Sequence, residues 1–100
     1  MAYRQGSFAD LTAHREEILR IATAHGAGNV RVFGSVARGE DGAGSDLDLL
    51  VDVVGETSAW FPGSLAAELE QLLEKPVQIV LRRSLSPLIR DTVLREAALL

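Results

Sequence analysis

Val30-Arg31-Val32-Phe33-Gly34-Ser35-Val36-Ala37-Arg38-Gly39, followed after a polar loop by Ser45-Asp46-Leu47-Asp48-Leu49-Leu50-Val51-Asp52-Val53-Val54, is the stretch that decides the fold. Its first half reads as a β-branched strand, a Gly-Ser turn opening a short helical segment, and a glycine-rich loop. Its second half reads as another strand, and this one begins with two acids at i and i+2. Alternate residues of a strand share a face and rise about 6.6 Å per pair. Asp46 and Asp48 therefore project together, while Leu47, Leu49, Val51 and Val53 project the other way, into a core.

Two carboxylates on one face can chelate Mg²⁺, a hard ion usually held by one or two carboxylates plus the phosphates of a substrate. Gly34 lets backbone approach a phosphate closely. Ser35, at the start of a helical turn, offers a hydroxyl and free N–H groups at the positive end of the helix. Arg38, one turn on, can add a charge-assisted contact to a phosphate oxygen. A Gly-Ser after a strand is often only a turn and a cap, and a Ser-Asp-x-Asp is often only a polar strand edge. Both together, in this order within a strand–turn–strand unit, predict a metal–nucleotide site.

Gly34-Ser35-x-Ala37-Arg38-Gly39 followed by Ser45-Asp46-x-Asp48 resembles the signature of the DNA polymerase β-like nucleotidyltransferase superfamily. The length is similar to that of its minimal nucleotidyltransferases, which are commonly paired with a HEPN-domain toxin in prokaryotic toxin–antitoxin modules. The resemblance implies an α/β fold, a small mixed sheet flanked by helices. It also implies Mg²⁺-dependent transfer of a nucleotidyl group, usually AMP from ATP, which active antitoxin members place on a tyrosine of a HEPN ribonuclease toxin. Carried over residue by residue, Gly34, Ser35 and Arg38 would bind the nucleotide, and Asp46 and Asp48 would be the catalytic, metal-binding acids.

One position departs from that family. Its active members carry a third carboxylate at the second position of the following strand, which here reads Val77-Gln78-Ile79-Val80. Strand alternation points Gln78 away from Val77, Ile79 and Leu81, where the acid would lie. An amide is a neutral, weaker ligand and no useful base, so nucleotide binding is expected to be better preserved than turnover. Asp52 shares the parity of Asp48, but four residues on it is about 13 Å away by strand rise, too far to substitute. Two further readings stay open: a non-catalytic antitoxin that neutralises its partner by contact alone, and a transferase acting on a small molecule. Members of the second kind usually carry an added substrate domain.

Composition narrows the rest. One hundred residues that are 47% hydrophobic suit one domain, residues 1–100, with a real core. Without cysteine there is neither a disulfide nor a thiolate metal site. No run approaches the ~18 apolar residues of a membrane span, and the first residues lack a signal-peptide core, so a cytoplasmic protein is expected. A net charge of −4 disfavours direct nucleic-acid binding and is compatible with a basic protein partner.

Along the chain, a helix is expected from Ser7 or Asp10 to about His25, with Leu11, Ile18, Leu19 and Ala22 on its buried face. His14 and His25 read as surface histidines, since no acid stands at ligand spacing. A strand over Asn29–Phe33 precedes the central loop, whose Glu40 and Asp41 read as solvated. Trp60 and Phe61 lie in a linker, where they can stack on a base, face a partner or pack beneath the next helix. That helix is expected from Pro62 to Glu74 on a Leu65, Leu69, Leu72, Leu73 stripe. Val77–Leu81 should be a strand, with Arg82 and Arg83 at its end as phosphate or partner contacts or, more commonly, solvated residues. A last helix opens at Ser86-Pro87 and runs to about Ala98. The apolar tail Ala97-Ala98-Leu99-Leu100 should dock on the domain or on a partner.

Overall fold

The computed structural model describes residues 11–34 and 46–100. Helix α1 (Arg15–Ala24) follows helical residues 11–13 and leads into strand β1 (Ala27–Phe33). Strand β2 (Leu47–Val53), helix α2 (Gly63–Leu73) and strand β3 (Val77–Leu81) come next. A 3₁₀ turn (Arg82–Ser84), helix α3 (Pro87–Glu96) and the short strand β4 (Ala98–Leu99) complete the order. The four strands form one mixed sheet in the order β3-β2-β1-β4. β1 lies antiparallel to β2 and β4, and β2 lies parallel to β3, with α2 as the crossover. This is the expected small mixed α/β fold.

Alternation along the strands separates the two faces of the sheet. Leu47, Leu49 and Val51 of β2 join Val30 and Val32 of β1 and Val77 of β3 in a buried cluster with Leu11, Ile18 and Ala22 and with Leu65, Leu69 and Leu73 of α2. The leucines of α2 recur at i, i+4 and i+8, one stripe of a helix, which is why that helix lies flat on the sheet. Truncating a buried leucine to alanine in such a cluster costs about 2–5 kcal/mol. The other face carries Arg31, Phe33, Asp48, Leu50, Asp52, Gln78 and Val80. Leu50 is completely buried although it stands outside the helix-side cluster, so even the functional face has an apolar anchor.

β1 begins at Ala27, two residues before the expected Asn29. The helix ends at Ala24 and the chain turns into β1 through Gly26, whose φ of +85° suits glycine, and there the backbone carbonyl of Glu56 occupies the space a Cβ would need. Gly26 O in turn accepts the N–H groups of Val54 (2.8 Å) and Gly55 (3.1 Å). The register then shifts between Gly28 and Arg31, and Asn29 takes a φ of +50°, so the strand passes through a bulge. The expected caps Ser7 and Asp10 lie outside the described residues.

The last helix ends at Glu96, two residues short of the expectation, because the tail becomes a strand. Arg31 pairs with Leu99 and Val32 with Ala98, and Leu100 N donates to Val30 O at 2.9 Å. Arg15 Nε donates to Leu100 O at 2.7 Å. The tail therefore docks on its own domain, covering the β1 edge, and it uses backbone hydrogen bonds as well as apolar contact.

Candidate functional site

The central motif converges at the end of the sheet where β1 finishes and β2 begins. Asp46 stands just before β2 and is exposed; Asp48 is its second residue and is half-buried. Across the antiparallel ladder Phe33 pairs with Asp48, so Gly34, the next residue, falls beside it. Gly34 adopts a φ of +77°, and a Cβ there would collide with Oδ2 of the Asp48 carboxylate. Glycine is thus required twice over, by the backbone angle and by the space. Gly34 packs against Asp48, and Asp46 precedes β2 by one residue; Ser35 and Arg38, the other two nucleotide-binding expectations, lie outside the described residues.

Gln78 completes this end of the sheet. In the parallel pair β2–β3, Asp48 aligns with Gln78, so the two residues stand on adjacent strands about 4.8 Å apart and on one face. Gln78 is exposed. The position is held from two sides: Leu47 N donates to Pro76 O at 2.9 Å, and Val77 N donates to the Glu70 carboxylate of α2 at 2.9 Å. Glu70 is a positioning residue the sequence did not single out. As an exposed acid on a leucine-rich helix it looks like any solvated residue until the strand start beside it is known.

The donor set fits a hard divalent ion carried with phosphate. Asp46 and Asp48 would supply the oxygen ligands, and the bare Cα of Gly34 accommodates the Asp48 carboxylate where a side chain would collide with it. Among the described residues, no group of three or more His, Cys, Asp or Glu side chains is placed to hold a metal.

Asp52 occupies the same face at the other end of β2 and is otherwise engaged. Asn29 Nδ2 donates to its Oδ2 at 2.8 Å, and Arg31 Nη1 lies 3.7 Å from its Oδ1. Arg31 also donates to Asn29 O at 3.2 Å, closing a polar cluster across the β-bulge. Asp52 is a structural acid, in keeping with its expected exclusion from the site.

The aromatic and basic residues near the far end are separated from the motif. Six residues of β2 carry the chain about 20 Å from Leu47 to Val53. Ser64 N donates to Trp60 O at 2.9 Å, and the Ser64 hydroxyl meets His25 Nδ1 at 3.3 Å, where α1 hands over to β1. Trp60 is 79% exposed at that end, so it neither packs beneath the helix nor reaches a base held at Asp48. Arg82 and Arg83 follow Leu81, which pairs with Val51, so they too are exposed at the end away from the acids.

His25 has a role that its sequence context hides. Its Nε2 lies 2.8 Å from Glu68 Oε1, and with Ser64 on the other nitrogen the ring clamps the end of α1 to the first turns of α2. Ser64 and Glu68 are four apart on one helix, which is what lets a single ring touch both. Among the described residues, no helix is long and apolar enough to cross a membrane.

Comparison with known proteins agrees with this geometry. Residues 12–100 match the family model described as a nucleotidyltransferase domain. A Methanocaldococcus jannaschii protein assigned as a protein adenylyltransferase is 36% identical over 83 residues, 83% of this chain and 89% of its own length. The protein adenylyltransferase MntA of Thermococcus cleftensis is 41% identical over 86 residues, 86% of this chain and 84% of its own length. A solved structure assigned as a minimal nucleotidyltransferase superimposes with a TM-score of 0.84 at 44% identity, each chain covered completely. A toxin–antitoxin crystal structure with AMP-PNP shares the fold, with a TM-score of 0.71 at 22% identity over 84% of this chain and 69% of that one. A chain whose Gly34 backbone rests on Asp48 at the mouth of a mixed sheet, and whose residues 12–100 follow the family pattern, belongs to the nucleotidyltransferase domain family.

Proposed function

We propose that this protein is the antitoxin of a toxin–antitoxin pair, and that it acts by transferring AMP from Mg²⁺·ATP to a tyrosine of a HEPN-type ribonuclease toxin. The observation that carries the reading is the packing of Gly34 against Asp48 at the β1–β2 end, with Asp46 two residues before Asp48. What supports the protein acceptor is the likeness to relatives named protein adenylyltransferases, and what supports the toxin partner is the shared fold with a toxin–antitoxin complex.

In the proposed reaction the acceptor hydroxyl oxygen attacks the α-phosphorus of ATP. The new O–P bond forms as the bond from the α-phosphorus to the bridging oxygen of the β-phosphate breaks, pyrophosphate leaves, and the hydroxyl proton passes to solvent. Bound Mg²⁺ supplies charge stabilisation on the phosphate oxygens. Asp46 and Asp48 would hold that ion, and the Gly34 backbone would approach the triphosphate closely. Ser35 and Arg38 follow in the sequence and would add a hydroxyl donor and a positive charge. Trp60, Arg82 and Arg83 take no part.

A second reading has its own observation. Gln78 stands beside Asp48 where a further acid would act as ligand or base, which favours an antitoxin that binds nucleotide and neutralises by contact. Intact-mass measurement of the partner toxin, incubated with this protein, ATP and Mg²⁺, separates the two. Addition of AMP that disappears in an Asp46→Asn, Asp48→Asn double variant is the expected result. An unmodified toxin held in a stable complex would replace transfer by contact, and a toxin neither modified nor bound would overturn the antitoxin reading.

A further inference from the structure

We infer that the outer edge of β3 is an interface between two copies of this chain, paired antiparallel about Ile79 so that their two sheets run on as one. This contact involves neither nucleotide nor metal, so it stands or falls apart from the proposed reaction.

Strand order puts β3 at one end of the sheet and β4 at the other. β4 is two residues long, whereas β3 spans five, Val77–Leu81. Leu47 N donates to Pro76 O, so alternation turns the backbone groups of Gln78 and Val80 towards β2 and those of Val77, Ile79 and Leu81 outward. Glu70 takes the first outward N–H, that of Val77. Among the described residues, no strand pairs with Ile79 and Leu81 on that side. Both side chains pack against the core yet stay partly exposed. Val77-Gln78-Ile79-Val80-Leu81 also carries no charge and no proline, the devices by which natural sheets keep an open edge from pairing.

A second copy suits this edge because the edge is complementary to itself. A two-fold axis at Ile79 sets that residue opposite its own counterpart and Val77 opposite Leu81. Ile79 then exchanges both backbone bonds with its counterpart, Leu81 N–H reaches Val77 O of the other copy, and Val77 N–H keeps Glu70. The charges agree. Glu70 holds an acid at the Val77 end of the edge and the exposed Arg82 follows its Leu81 end, so antiparallel pairing brings the Glu70 of each copy beside the Arg82 of the other. Parallel pairing would set arginine beside arginine instead. The apolar layer under α2 continues as well, since the two Ile79 side chains meet on one face of the joined sheet.

The chain has no cysteine, so a single introduced thiol reports the contact. Across a hydrogen-bonded antiparallel pair the Cα atoms stand about 5.5 Å apart, within the roughly 4.4–6.8 Å that a disulfide spans. Ile79→Cys should therefore link into dimers under mild oxidation, and Ile89→Cys, half-exposed on α3, should not. Sedimentation equilibrium of the native chain should show a dimer that dissociates on dilution. Arg82→Glu, an exposed change that leaves the core untouched, should raise its dissociation constant about tenfold, because attraction becomes repulsion at two symmetric places. Circular dichroism confirms that each variant is folded. A native chain that is monomeric at every concentration, a dimer indifferent to Arg82→Glu, or equal linking of the two thiol variants would overturn the interface. Slow amide exchange at Ile79 in a monomeric sample would assign the edge to another segment of the same chain and overturn it equally.

Discussion

Asp48 and Asp52 are the same residue type on the same strand and the same face, yet the fold gives them different surroundings. Asp52 faces a bulge in β1, where Asn29 and Arg31 surround its carboxylate and tie two strands together. Asp48 faces the end of β1, where the partner strand stops at Phe33 and its carboxylate packs against the Cα of a glycine in a left-handed conformation. The strand pattern puts both acids on one face; the local shape of the neighbouring strand differs between them. Asp52 lies beside a bulge whose side chains bond it, and Asp48 lies beside the strand end at Gly34.

The sharpest way to break this contrast is to neutralise each acid in turn. Asp48→Asn should lower AMP transfer at least ~100-fold, the consequence of losing a few kcal/mol of charge stabilisation, whereas Asp52→Asn should leave the rate within about threefold. Equal losses in the two variants, measured by label transfer from ATP, would erase the distinction. Gly34→Ala comes next: a left-handed alanine costs about 1–3 kcal/mol, and its methyl would displace the Asp48 carboxylate, so urea midpoint and transfer should fall together. A variant of wild-type stability and activity would show that the carboxylate moves aside freely.

Smaller effects refine the account of the other end. Asp52→Asn should cost about 1 kcal/mol in equilibrium unfolding, from loss of the charge opposite Arg31 with the Asn29 contact partly retained. A cost near zero would mean that the cluster is ornamental. Gly63→Ala, where nothing lies within 4 Å of the added methyl, should stabilise α2 by roughly 0.5 kcal/mol. Set beside Gly34→Ala, it tests whether the penalty at Gly34 belongs to that location or to glycine replacement in general.

The parts of this molecule legible in the sequence are those governed by short-range periodicity. The alternation of Leu47, Leu49 and Val51 showed which face of β2 is core, although Val53, expected with them, is only half-buried and stands outside the cluster; the leucine stripe of α2 announced its packing side. The bounds of β3 are those expected from its run of apolar residues. The Asp46–Asp48 pair was readable because the i, i+2 period of a strand is also the period of a shared face. What the sequence concealed depends on partners distant along the chain. Nothing near His25 signals Glu68 or Ser64, and nothing in Glu70 signals that it receives the N–H of Val77. The tail was recognisable as apolar and therefore docked, but its conversion from helix to strand follows from the open edge of β1, which only the assembled sheet provides. Trp60 escaped for the same reason: its distance from the acids is a matter of where a crossover begins.

The central claim is that nucleotide and metal meet at the β1–β2 end, between Gly34 and the Asp46–Asp48 pair. The most direct measurement is a crystal structure of the protein soaked with Mn²⁺ and AMP-PNP, with anomalous scattering used to locate the ion. The expected result is an anomalous peak shared by the carboxylates of Asp46 and Asp48 and the phosphates of AMP-PNP. A peak at Asp52, or nucleotide seated beside Trp60 at the far end of the sheet, would contradict it.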